Sequence, residues 1–242
     1  MTTLRSLLVV AIAAALTACG GARTETTTAT TDTTAGGETA ETPEAHPIRT
    51  TTPIPVPQPA VAREQMSPEL QQLWDRVEAA VATRPPEPPS DGSTESVNAW
   101  AEGPFAAWLT ERARASTDVQ NALEPLAEAP PHERGVAAGL FGYLQEDTVA
   151  DVRGAPIPDA ITSDAELLRV YDESMLAALV PYARVAVQAY RFCEAAFQES
   201  GEELWGEWAA YCRERASEVV QTYALEPTET PSEPGAIDDP EE

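Results

Sequence analysis

Cys193 and Cys212 are the residues of this chain whose type and spacing point most directly to chemistry. Cys193 lies on the apolar stripe Tyr182, Ala186, Ala189, Cys193, Phe197. Cys212 lies on Trp205, Trp208, Cys212, Ala216, Val219. Both stripes have helical period, and only Ser200 and Gly201 form the turn between them. Two helices joined so tightly pair antiparallel, which brings the two cysteines level. Their Cα atoms are then expected within the roughly 4.4–6.8 Å that a disulfide needs. Two buried thiols are the main alternative. The spacing is not Cys-x-x-Cys, which argues against a redox pair. A closed loop of about 18 residues predicts a stabilisation of about 3 kcal/mol.

Metal and nucleophile chemistry find little to work with. The chain has two histidines. His46 falls in a Thr/Pro-rich stretch, and His132 opens a helix beside Glu133. Neither has a second histidine at ligand spacing, and a zinc site needs three or four ligands. No serine sits in a Gly-x-Ser-x-Gly turn. The acidic cluster Glu146, Asp147 and Asp151 does not follow the spacing of a calcium loop and reads as a solvated acidic face. No metal and no cofactor are expected. Trp205 and Trp208, three apart beside an acidic turn, are the candidate ligand contacts. All five tryptophans fall on apolar stripes, for which packing is the ordinary use.

Glu199-Ser200 and Glu173-Ser174 are the dipeptides an acid–base enzyme would use. The pair resembles the Glu-Ser of lytic transglycosylases, where the Glu acts as acid and base on peptidoglycan. The Gly-Leu-Met-Gln stretch that follows it in that family is absent here. Such a Glu needs an apolar pocket, whereas Glu199 is expected in an exposed turn with Glu202 and Glu203.

The elements that must position these residues are helical. Ser67 then Pro68 reads as an N-cap with proline at the first helical position. Leu70, Leu73, Trp74, Val77 and Val81 follow on one face until Pro85-Pro86. A second helix is expected from about Thr94 to Ala115, kinked or split at Gly103-Pro104. Ser116 is placed as the cap of a short third helix with Val119, Leu123 and Leu126. Pro130-Pro131 precedes a fourth with Val136, Leu140, Phe141, Tyr143 and Leu144. Ser163 with Glu166 fits a capping box for a fifth, whose face holds Leu167, Val170, Tyr171, Ser174 and Leu179. Pro181 ends or kinks it into a sixth. Ser200 with Glu203 repeats the box before a seventh. The last pair has Ala, Tyr and Phe spacing like a tetratricopeptide repeat. One pair without a period of about 34 residues cannot stack. No segment alternates with period two. The fold class is all-α: an irregular bundle of six or seven helices over residues 63–225.

The ends differ from this core. Residues 19–62 are dominated by Thr, then by Pro53, Pro55, Pro57 and Pro59. They hold too few large apolar residues to offset the entropy of ordering, so a disordered tether is expected. A coil of about 40 residues reaches roughly 35 Å. Residues 226–242 carry seven acids and no base and are expected to form a disordered acidic tail. The chain as a whole has 242 residues and a net charge of −25, and all fifteen cationic residues are Arg. That balance argues against nucleic acid, which needs clustered cations. It also argues against a body that hugs anionic lipid headgroups.

Residues 1–18 look like an export signal: Arg5, the apolar run Leu7 to Leu16, then Thr17 and Ala18. Leu16-Thr17-Ala18-Cys19 resembles the lipobox of bacterial lipoproteins. The resemblance covers residues 1–20 only. It implies acylation of Cys19 and removal of the peptide before it. Two or more acyl chains hold a membrane durably where one does not. Gly20, where an inner-membrane lipoprotein tends to have Asp, favours the outer membrane, facing the periplasm or the cell surface. The expected protein is a lipid-anchored envelope component. Its preferred role is non-catalytic, as a protein-binding or structural module for an unknown envelope partner. The alternatives are a peptidoglycan-acting enzyme using Glu199 or Glu173, and a small-ligand binder with a pocket between helices.

Overall fold

The computed structural model describes residues 56–225. Cys19, the signal segment, most of the tether and the acidic tail lie outside the described residues. Within them there are seven α-helical segments and no strand. They are α1 (Pro68–Ala82), α2 (Thr94–Trp100), α3 (Ala106–Asn121), α4 (Pro131–Arg153), α5 (Asp159–Thr162), α6 (Ala165–Ser200) and α7 (Gly206–Thr222).

α1 begins as its sequence dictates. Pro68 occupies the first turn, where its missing N–H costs nothing, and Ser67 Oγ accepts from the Leu70 N–H at 3.2 Å. Ser67 in turn donates its N–H (2.9 Å) and hydroxyl (2.5 Å) to Glu133, which ties the start of α1 to the start of α4. At Gly103-Pro104 the expected kink takes a definite form. Residues Ala101–Phe105 make one π-helical turn between α2 and α3. Proline has no N–H to give the helical ladder, and a widened turn absorbs the gap. That turn stacks Trp100 on Phe105 (4.5 Å) and Phe105 on Trp108 (5.3 Å).

α4 is the central helix. It packs against α1, α3, α6 and α7, most extensively against α6. Its contact with α6 is close because of three glycines on one face. A Cβ on Gly135 would stand 2.8 Å from the Phe197 ring, and one on Gly142 would stand 2.9 Å from the Tyr190 ring. A Cβ on Gly139 would meet Trp208 at 3.1 Å and both cysteine sulfurs at 3.2 Å. Each glycine weakens the helix by about 1 kcal/mol relative to alanine. The aromatic side chains of α6 and α7 fill the groove that results, and no larger residue would leave it open.

Five expectations change. Ser163 does not cap α6. Asp164 does, accepting from the N–H groups of Glu166 (2.9 Å) and Leu167 (3.1 Å). A carboxylate at a helix start adds charge–dipole attraction to the hydrogen bonds a serine could make. Pro181 neither ends nor kinks a helix: α6 runs through it for 36 residues, merging the expected fifth and sixth. Pro181 faces solvent, where water can take the carbonyl left without a partner. Ser116 lies inside α3 and accepts from Gln145 Nε2 at 2.6 Å. The expected third helix reduces to the end of α3 and a 3₁₀ turn, Glu124–Leu126. Ser200 is the last residue of α6, not a cap for α7. Gly201 takes φ 64°, which only glycine adopts without strain, and a 3₁₀ turn (Glu203–Trp205) leads into α7.

The fifth change is at the chain entry. Residues 56–62 are expected in the tether. Val56, Ala60 and Val61 instead pack on the core, and the Gln58 carbonyl accepts from Trp208 Nε1 at 3.1 Å. The packed chain therefore begins before residue 63.

Candidate functional site

Cys193 and Cys212 are joined as a disulfide, with Cα atoms 6.1 Å apart. α6 and α7 run antiparallel here, so that Tyr190 meets Tyr211 and Phe197 meets Trp208 on either side of the bridge. Both sulfurs are fully buried above Gly139.

Trp205 and Trp208 do not present their rings to a ligand. Each is at most 2% exposed. Trp205 stacks between His132 (5.3 Å) and Phe197 (5.8 Å). Trp208 meets Trp74 edge-on at 5.6 Å, which joins α7 to α1. The apolar stripe that carries them won over their position beside an acidic turn. His132 packs on Trp205 with Nδ1 3.5 Å from Glu202. Among the described residues, no group of three or more His, Cys, Asp or Glu side chains converges on a possible metal position.

Glu199 and Glu173 are both exposed and each pairs with an arginine. Glu199 receives Arg134 at 2.8 and 2.9 Å, and Glu173 receives Arg169 at 2.5 Å. Neither has the apolar surroundings that hold a carboxylic acid protonated, and the two lie about 26 residues apart on one helix.

The cluster Glu146, Asp147 and Asp151 is not a solvated face. Glu146 and Asp147 are buried, and arginines from distant parts of the chain neutralise all three. Arg84 reaches Asp147 at 2.9 Å, and Arg112 reaches Asp147 at 3.3 Å and Asp151 at 3.2 Å. Arg112 also lies over the Trp108 ring. Burial holds the Asp151 carboxyl above its ordinary range, and the negative charge of Asp147 adds to that. Glu146 accepts from the Tyr190 hydroxyl at 2.8 Å and from Arg215 through two nitrogens. Burial raises the Tyr190 hydroxyl well above the ordinary tyrosine range, and Tyr211 and Glu146 add to it. With two arginines set against Asp147 and Asp151, and Arg215 against Glu146, the buried charges balance. The network leaves no net charge for a ligand to answer.

One cleft of about 160 Å³ opens beside this network, lined by Pro85, Pro86, Pro88, Trp100, Phe105 and Asp151 among others. Small-molecule sites typically enclose about 300–1,000 Å³. Among the described residues, no helix is long and apolar enough to cross a membrane.

The surface feature missing from the sequence reading lies on α6. Five large apolar residues are exposed in the described chain: Leu167 (37%), Val170 (40%), Val185 (37%), Phe192 (52%) and Leu204 (57%). Four of them fall on one stripe of α6, together with exposed Ser174, Ala177, Pro181, Gln188 and Ala195. Leu167, Val170 and Ser174, expected on the core face from their period, lie outside it. The core face is instead Tyr171, Met175, Leu179, Ala183, Ala186, Tyr190, Cys193 and Phe197. α6 is apolar on two sides, and only one side is covered. The signal available in the sequence was a second stripe at helical period beside the first.

Compared with known proteins, the chain matches no family model, no curated protein and no solved structure.

Proposed function

We propose that this chain is a lipid-anchored cell-envelope protein whose helical domain binds protein through the uncovered face of α6. The anchor follows from the likeness of Leu16-Thr17-Ala18-Cys19 to a lipobox. The docking role rests on one observation: four large apolar side chains share a single solvent-facing stripe of a 36-residue helix. Scattered apolar residues are ordinary on a surface, but a contiguous stripe marks an interaction site. A non-catalytic role fits the pairing of Glu199 and Glu173 with arginines and the charge balance of the buried network. The long Thr/Pro segment ahead of residue 56 would set the domain off the bilayer, where a partner can reach it.

Chemical crosslinking in intact cells tests the docking role. Species larger than the monomer are expected for the native chain and lost with Val185→Glu, which puts a charge mid-stripe. A chain that crosslinks identically with and without the substitution does not use this face. Cys19→Ser tests the anchor: the altered chain is expected in the soluble fraction, and retention with the membranes rejects the acyl anchor.

A further inference from the structure

The spacing of the exposed stripe carries information about its partner. The residues are Leu167, Val170, Ser174, Ala177, Pro181, Val185, Gln188, Phe192 and Ala195. The steps between them run three, four, three, four up to Pro181, then four, three, four, three after it. Alternating threes and fours make the seam of a coiled coil, and two fours in succession make a local irregularity in it. A stripe with such an irregularity seats best on a helix that has the same irregularity at the same level. Read backwards, this stripe has the same spacing. Turned end for end about Pro181, α6 therefore presents a matching seam to itself.

The side chains agree with the spacing. We infer that the α6 face docks a second copy of this chain, antiparallel, about a two-fold axis passing at Pro181. This rests on the reading that the face binds protein. In that register Leu167 meets Ala195, Val170 meets Phe192, Ser174 meets Gln188, and Ala177 meets Val185. Each apolar layer sets a larger residue against a smaller one, and the polar residues share a layer. Pro181 meets Pro181, where a missing N–H costs no interhelical bond.

Charge agrees as well. Glu166 and Glu173 flank the first half of the stripe at a seven-residue interval. Arg184 and Arg191 flank the second half on the same side at the same interval. Antiparallel pairing sets the acidic flank of one copy, where Arg169 already bridges Glu166 and Glu173, beside the arginine flank of the other, with Glu173 and Arg191 bordering the same layers. Parallel pairing would set this charged flank against the opposite flank of the partner and leave its charges unanswered. On the opposite flank stand Ala178 and Ala189, small enough for close approach. The seam from Leu167 to Ala195 is about 42 Å long at 1.5 Å per residue. A two-fold contact of this kind closes on itself and stops at a dimer.

Cysteine crosslinking of the full lipidated chain tests the register. With Cys19 acylated and Cys193 bonded to Cys212, an introduced cysteine is the reactive thiol. Under mild oxidation Pro181→Cys alone is expected to give a covalent dimer. Ala177→Cys alone is not, because its counterpart is residue 185; mixed with a tagged Val185→Cys chain it is expected to give the mixed dimer. Circular dichroism of each variant checks that the helices remain. In sedimentation, Val185→Glu is expected to weaken self-association at least about tenfold, since the charge enters the seam twice per dimer. Failure of Pro181→Cys to crosslink, or equal dimer from Ala177→Cys alone, overturns the register and the proposal. If the chain is monomeric yet still crosslinks in cells to another protein, and loses it with Val185→Glu, self-pairing falls and the docking role stands. If neither occurs, both fall.

Discussion

Tyr190 donates its hydroxyl to Glu146 across the α4–α6 interface at 2.8 Å, with both side chains buried. Arg215 of α7 binds the same carboxylate. One anion of α4 thus receives donors from both α6 and α7. Removing one partner of a buried pair typically costs about 3–5 kcal/mol, because the other charge stays behind. Arg215 also reaches Glu218, which moderates the loss. Glu146→Gln is expected to lower unfolding stability by about 3 kcal/mol. Tyr190→Phe removes the hydrogen bond to Glu146 and the longer one with the Tyr211 hydroxyl (3.4 Å) and leaves the ion pair whole, for a loss of about 1–2 kcal/mol. Urea unfolding of both variants checks the order, and a larger loss for Tyr190→Phe would contradict it.

The same hydroxyl makes the fold sensitive to alkali. Burial, then Tyr211 and Glu146, raises the Tyr190 hydroxyl above the free-tyrosine value of 10.0, and burial raises Tyr211 as well. Above that value an unfolded chain gives up protons that the folded chain keeps. The stability contributed is complete below pH 10.0 and is lost as pH rises beyond it. Tyrosinate absorbance is expected to finish rising only as helical dichroism collapses. Complete ionisation of all six tyrosines with the helix signal intact would refute the burial argument.

Glycines on α4 and at the start of α7 are expected to respond oppositely to alanine. A Cβ at position 142 would press on the Tyr190 ring at 2.9 Å, and that ring is fully buried. Overpacking of about 1–3 kcal/mol outweighs a helix gain of at most about 1 kcal/mol. Gly142→Ala is expected to lower the melting temperature. At Gly206 nothing stands within 4 Å of the added carbon, and Gly206→Ala is expected to leave the melting temperature unchanged or raise it. Thermal melts of the two variants in parallel decide the matter.

Replacing both Cys193 and Cys212 with Ala is expected to cost about 3 kcal/mol, the chain-entropy value for a loop of this length. The residues enclosed are the last turns of α6, the connecting turn and the first turns of α7, so the loss is expected in the unfolding midpoint of the whole domain. A reductant is expected to destabilise the native chain and leave the double variant unaffected. Equal sensitivity of the two to reductant would mean that the bridge contributes nothing.

Much of this fold is legible in local sequence. Ser67 and Pro68 start α1, Pro130-Pro131 leads into α4, and the apolar stripes place Cys193 opposite Cys212 across a short turn. The failures share a cause. Pro181 was read from its local cost, but neighbours pack α6 on both sides of that residue and hold the helix through it. Glu146, Asp147 and Asp151 look solvated in the sequence because their partners Arg84, Arg112 and Arg215 lie 35 to 69 residues away. Leu167 and Val170 were assigned to the core because period identifies an apolar face without saying what covers it. Local rules report the backbone's preferences; the identity of a distant neighbour is not written in them.

The bond from Trp208 to the Gln58 carbonyl has a mechanical consequence. A pull on the chain ahead of residue 56 meets the folded body at α7, beside the covalent link to α6, before it reaches the start of α1. Load entering there is shared between two cross-linked helices before any of the bundle can peel. A protein held by its leading end against shear from a moving surface would resist unravelling for that reason.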